Sequence, residues 1–182
     1  CLPSAGDTYF GFLTVPHENG GDLMVRNIRI SMSDRPAMTP AEVTELSATG
    51  LPQGQLKAKV DFRMPEVSAA GLPLEGQTLT ATVTTPAGSA SVSGVAGSLQ
   101  SVEVSTVQGF NDISVIAANE NAGLENSVSI FTGLDVPAPL AEIRQSHSED
   151  YKSLHLEWDA PTAGYNGGYV DPAGVTYSLY FY

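Results

Sequence analysis

Short runs in which apolar and polar side chains alternate recur along the chain at intervals of about ten residues, separated by Gly, Pro, Asn and Asp. An extended backbone sends successive side chains to opposite faces, so a period of two marks strands with one buried face. The clearest runs predict strands at Leu23–Ile30, Leu56–Phe62, Leu79–Thr84, Val102–Val107, Ile113–Ala117, Ser127–Phe131, Leu154–Trp158 and Val175–Tyr182. Many short strands with turn residues between them predict an all-β sandwich. Only Thr39-Pro40-Ala41-Glu42 offers a helix start, a threonine cap followed by proline and an acid. The continuation through Val43, Leu46 and Ala48 alternates in the strand period, so Thr39–Leu46 is expected to be an extended first strand. The segment Gly88-Ser89-Ala90-Ser91-Val92-Ser93-Gly94 alternates small and polar residues and is expected to be a flexible hairpin or sheet edge.

The pattern also repeats at long range. Val60-Asp61-Phe62-Arg63-Met64-Pro65 aligns with Leu156-Glu157-Trp158-Asp159-Ala160-Pro161 at an offset of 96 residues, the distance from position 62 to position 158. The same offset carries Gly71 onto Gly167 and Leu79-Thr80-Ala81-Thr82-Val83 onto Val175-Thr176-Tyr177-Ser178-Leu179. Such a period is too long for a solenoid and suits successive domains of about 100 residues. Between the copies, Gly133-Leu134-Asp135-Val136-Pro137-Ala138-Pro139 reads as a short, stiff linker, because two prolines fix φ and remove backbone donors. The expected organisation is a complete domain over 36–136 and the N-terminal half of a second over 137–182, with 1–35 belonging to something upstream.

At these residues the chain resembles the fibronectin type III family. Leu154-His155-Leu156-Glu157-Trp158-Asp159-Ala160-Pro161 is similar to the family's second strand, where a buried tryptophan precedes a proline, and Tyr177-Ser178-Leu179-Tyr180 is similar to its third. Val115-Ile116-Ala117-Ala118-Asn119-Glu120-Asn121-Ala122-Gly123 resembles the later strand that closes the sheet with a small residue, an asparagine and a glycine. More narrowly, Gly167-Gly168-Tyr169 and the linker look like tandem repeats of secreted bacterial surface proteins. In those, a jelly-roll (cleaved-adhesin or concanavalin-like) domain often precedes the repeats. Its closing strands resemble Tyr9-Phe10-Gly11-Phe12 and Leu23–Ile30, so residues 1–35 are expected to be a jelly-roll tail. The first copy departs from the family by carrying Phe62 in place of tryptophan and by lacking a tyrosine near Ile113. No Arg-Gly-Asp tripeptide is present, so an integrin-type adhesive role does not carry over.

Composition narrows the function. Lys and Arg number 8 against 20 Asp and Glu, and a formal net charge of −12 repels phosphate backbones, which argues against nucleic-acid binding. No apolar run approaches the roughly 20 residues of a membrane span, and neither a span nor a secretory leader is expected in these residues. Cys1 has no internal disulfide partner. It is read as an internal cysteine that begins this stretch, the alternative being the lipidated first residue of a lipoprotein.

The search for chemistry assigns no catalytic, cofactor-binding or metal-binding residue. A Gly-x-Ser-x-Gly nucleophile signature is missing. His17 and His147 are expected in loops, and His155 on the outer face of its strand, from separate modules and without convergence. A glycosidase carboxylate pair would need a cleft that such sandwiches do not offer. Asp7, Glu18 and Asp22 could donate oxygens to calcium but fit no calcium-loop spacing. Tyr165, Tyr169, Tyr177, Tyr180 and Tyr182 make the C-terminal part tyrosine-rich, a composition that stacks sugar rings when the rings share a face.

The expected role is that of a non-enzymatic extracellular or cell-surface spacer and interaction module in a larger protein. The alternatives are a module binding a glycan or a host protein, or an accessory domain of a secreted hydrolase or peptidase. The partial sandwiches over 1–35 and 137–182 are expected to need completion by other domains or chains.

Overall fold

The computed structural model describes residues 35–180. The expected jelly-roll tail with its strand Leu23–Ile30, His17, the turn acids Asp7, Glu18 and Asp22, Cys1 and Tyr182 therefore lie outside the described residues.

Antiparallel strands dominate. Seven of them build a sandwich: β1 (Thr44–Gly50), β2 (Lys57–Arg63), β3 (Thr78–Thr85), β4 (Gly88–Val95), β5 (Leu99–Ser105), β6 (Gly109–Ala118) and β7 (Ala122–Thr132). One sheet has the order β1-β2-β5 and the other β4-β3-β6-β7. A hairpin of β8 (Ile143–His147) and β9 (Leu154–Trp158) follows, and then a single 3-10 turn at Pro172–Gly174. The all-β sandwich read from the alternation is the observed class.

The alternation becomes the core directly. In β2 the inward positions Ala58, Val60 and Phe62 are buried while Lys57 and Lys59 face water, and in β3 the same rule buries Leu79, Ala81 and Val83. Ile113, Val115 and Ala117 of β6, beside β3 in the four-stranded sheet, face β2 of the other sheet, with Val43, Met64, Leu74 and Val104 closing the cluster. Phe62 lies at the centre, 1% exposed, so the aromatic that stands where the resembled family has tryptophan does fill the middle of the core. Removing so large a buried ring costs about 3–5 kcal/mol.

Several expected elements differ. Of Thr39–Leu46, the paired strand begins only at Thr44 and is interrupted at Glu45, whose φ is +53°; ahead of it Pro40 makes an isolated bridge to Ser68. Proline has no N–H to give a continuous ladder. The serine-rich segment takes the sheet-edge form of its two expected readings: β4 ends the order β4-β3-β6-β7 and pairs with β3 over its whole length, from Thr85 opposite Gly88 to Thr78 opposite Val95. Val175–Tyr180, expected to begin a strand, forms no ladder, because no strand among the described residues lies beside it. His147, expected in a loop, is the last residue of β8.

The 96-residue offset recurs in the backbone. Gly71 donates to the Ser68 carbonyl at 2.8 Å and Gly167 to the Gly164 carbonyl at 3.1 Å, positions related by that offset. Both glycines have left-handed φ, +80° and +87°, which only glycine adopts without strain. Ser68 and Gly164 then donate to Leu72 and Gly168 at 2.7 and 2.9 Å, and the buried Leu74 and Val170 also correspond. By the same offset the β8–β9 hairpin corresponds in sequence to β1 and β2.

Candidate functional site

The densest polar construction in the described residues lies where the sandwich passes into the C-terminal hairpin, and it is assembled in layers from the core outward. Asn111 of β6 is fully buried at the end of the sandwich. Its Oδ1 accepts the Val107 amide at 2.8 Å, while Nδ2 donates to the carbonyls of Val107 and Gly109, each at 2.8 Å, and to Thr132 Oγ1 at 3.0 Å. Thr132 Oγ1 lies 2.8 Å from Thr106 Oγ1 and 2.9 Å from the Val107 carbonyl. Every polar atom of the asparagine amide is used, which pins the loop over 106–109 to the end of β7.

Gln108 projects from that pinned loop onto the linker. Its Oε1 accepts the Leu134 amide at 2.9 Å and its Nε2 donates to the Leu134 carbonyl at 2.5 Å. The Gln108 side chain fills the space beside Gly133, whose φ is +89°, so a larger residue there would collide with it as well as strain the backbone.

Beyond Leu134 the linker grips the following segment. Leu134 forms a parallel bridge with Tyr169: the Tyr169 amide donates to the Gly133 carbonyl at 3.0 Å, and the Asp135 amide to the Tyr169 carbonyl at 2.7 Å. The Asp135 carboxylate accepts the amides of Asn166 (2.7 Å), Gly168 (3.1 Å) and Val136 (2.8 Å) and the Asn166 side-chain amide (2.9 Å). Partial desolvation works against its charge, but these donors outweigh that effect and hold the carboxyl below its ordinary range.

Packing completes the joint. The Tyr169 ring lies over Gly54, where an added Cβ would stand 3.1 Å from Cδ1. A Cβ at Gly168 would stand 2.5 Å from a carbon of the Phe131 ring, which itself meets Phe110 edge-on at 5.2 Å. A cleft of about 260 Å³ remains between residues 49–54, at and beyond the end of β1, and the segment 167–169, without a histidine or an acid in its lining.

The residues weighed for chemistry do not converge. His147 and His155 sit on neighbouring strands of one hairpin, within the same expected module; Ser146 is opposite His155, which sends the two imidazoles to opposite faces. His155 Nε2 lies 3.2 Å from Glu157 Oε1 and is well exposed. Arg144 gathers Asp159 at 3.1 Å and Glu157 at 3.9 Å in exposed pairs. Such surface pairs contribute little to stability. Among the described residues no group of three or more His, Cys, Asp or Glu is placed to hold a metal ion, and no helix is long and apolar enough to cross a membrane. The tyrosines do not share a face: Tyr169 covers Gly54, Tyr177 packs on Trp158 at 5.2 Å, and Tyr165 and Tyr180 are exposed.

Asp135 stood in the sequence as a linker residue, and its partners 31 and 33 positions away were not visible from it. Asn111 and Gln108 gave no signal in the sequence. No protein-family model matches the chain, and no curated protein is significantly similar to it.

Proposed function

We propose that this chain is a non-catalytic spacer and interaction module of the fibronectin type III kind, carried outside the cell as part of a larger protein, and that the joint around Asp135 sets the direction of each successive module. The observation that carries the reading is the double grip on the linker: Gln108 holds it from the sandwich side, and Tyr169 and the Asp135 carboxylate hold it from the hairpin side. A flexible tether needs no such bonds; a spacer that transmits orientation does. The three-plus-four division of the strands and the backbone equivalence of the two copies support the family reading. Acidic net charge suits a soluble, self-repelling array that stays extended.

Pulsed electron-spin distances between labels at Ser129→Cys on β7 and Gln145→Cys on β8, in a Cys1→Ser background, test this directly. A single narrow distribution is expected, broadening several-fold with Asp135→Ala. A broad distribution in the parent chain would sink the rigid-spacer reading.

A further inference from the structure

We propose that β4 is a docking edge for a second copy of this chain, joining two four-stranded sheets into one continuous sheet of antiparallel strands. The strand lies at the end of the order β4-β3-β6-β7, and among the described residues nothing pairs with its outer side. The two-residue turn Pro86-Ala87 closes on the Thr85–Gly88 pair and sets the phase of the ladder. Hydrogen bonds to β3 come from Gly88, Ala90, Val92 and Gly94, because such pairs alternate along an antiparallel ladder. The N–H and C=O groups of Ser89, Ser91 and Ser93 consequently point out of the sheet plane's open side, as a template for one more strand.

The sandwich's other three edge strands are protected. β1 bends at a bulge where Glu45 has φ +53° and its carboxylate holds Arg63 at 3.0 Å. β5 carries Glu103, and β7 carries Glu125 beside a register shift in its pairing with β6. Bulges and charges of this kind keep sheet edges from joining. β4 has no charge, no proline and no bulge, and the whole stretch Thr78–Val95 is free of charged side chains in a chain of net charge −12. Two copies repel one another over most of their surfaces and meet here without repulsion.

The identity of the partner follows from the order of residues. Gly88-Ser89-Ala90-Ser91-Val92-Ser93-Gly94 reads nearly the same in both directions about Ser91. Antiparallel self-pairing centred there sets Gly88 against Gly94, Ser89 against Ser93, Ala90 against Val92 and Ser91 against its own counterpart. A two-fold contact requires that self-complementarity, and it closes without propagating. The serine faces already make hydroxyl pairs within one chain, Thr80 with Ser93 at 2.9 Å and Thr82 with Ser91 at 3.2 Å. Self-pairing extends these rows across the two-fold axis.

Sedimentation velocity on the full chain over a concentration series tests the proposal with two variants. Ser91→Lys places a charge on the outward face at the two-fold axis. Ser91→Pro removes the central edge N–H at a position where an edge strand tolerates proline. The parent chain is expected to show a concentration-dependent dimer, and both variants a dissociation constant raised at least tenfold with an unchanged circular-dichroism spectrum. If Ser91→Pro unfolds, Ser91→Lys decides alone. A parent chain monomeric at the highest concentration, or a dimer that persists unchanged in the folded variants, overturns the proposal. So does capture of an unrelated extended peptide at this edge by a chain that never pairs with itself.

Discussion

Replacing Asn111 by leucine, which has the same branching but is larger and apolar, asks how firmly the end of the sandwich is locked. Asn111 is fully buried and makes four side-chain hydrogen bonds, so the substitution leaves the Val107 N–H and the Gly109 carbonyl without this partner. Buried groups orphaned in this way cost about 1–3 kcal/mol each, or about 4 kcal/mol for the pair. Burying the leucine side chain returns about 1.5 kcal/mol. The net loss is then about 2–3 kcal/mol, and with a urea m-value of about 2 kcal/mol/M the unfolding midpoint moves down by about 1 M. Asn111→Asp separates hydrogen bonding from volume. Its carboxylate still accepts the Val107 amide but faces the two carbonyls with no proton to give. Burial among acceptors raises its pKa, so the folded form gains a proton more readily than the unfolded form. Stability relative to the parent is therefore lowest at neutral pH and recovers as pH falls through the raised folded value toward the ordinary carboxylate value of about 3.9. Urea titrations of both variants at neutral and mildly acidic pH read these effects. A loss below about 0.5 kcal/mol for Asn111→Leu, within the scatter of surface substitutions, would refute the claim that this amide holds the loop.

Thr39 is 2% exposed and its Oγ1 has no hydrogen-bond partner among the described residues, so Thr39→Val should stabilise the sandwich by about 1 kcal/mol in urea unfolding. Because donors hold the Asp135 carboxyl below its usual range, its contribution to the joint is fully present above about pH 3.9 and fades as pH falls below that through the lowered folded value. Amide exchange at Tyr169 should accelerate in that acid window, and the acid dependence should vanish in Asp135→Asn. Gly168→Val drives a side chain into the Phe131 ring; exchange at Tyr169 and Asp135 should rise by an order of magnitude or more while β3 amides stay protected.

Legibility divided along physical lines. Strands such as β2, β3 and β6 carry large apolar residues on one face, so hydrophobic period and burial coincide. β4 was half-read, because serine, glycine and alanine give no contrast between faces, and its pairing is dictated by the turn at Pro86-Ala87. β8 holds one large apolar residue, Ile143, and exists because β9 lies beside it. Val175–Tyr180 shows the converse: alternation without a neighbouring strand makes no ladder. The joint was legible only as a proline-rich linker. Its substance is a set of contacts between residues far apart in the chain, Gln108 with Leu134 and Asp135 with Asn166, which no local pattern reports.

The linker bound on both sides has no slack. One residue inserted between Gly133 and Asp135 would put Leu134 out of step with either Gln108 or Tyr169. If joints of this kind followed one another in the proposed spacer, each would impose the same rotation, and a row of identical units would wind into a helical rod.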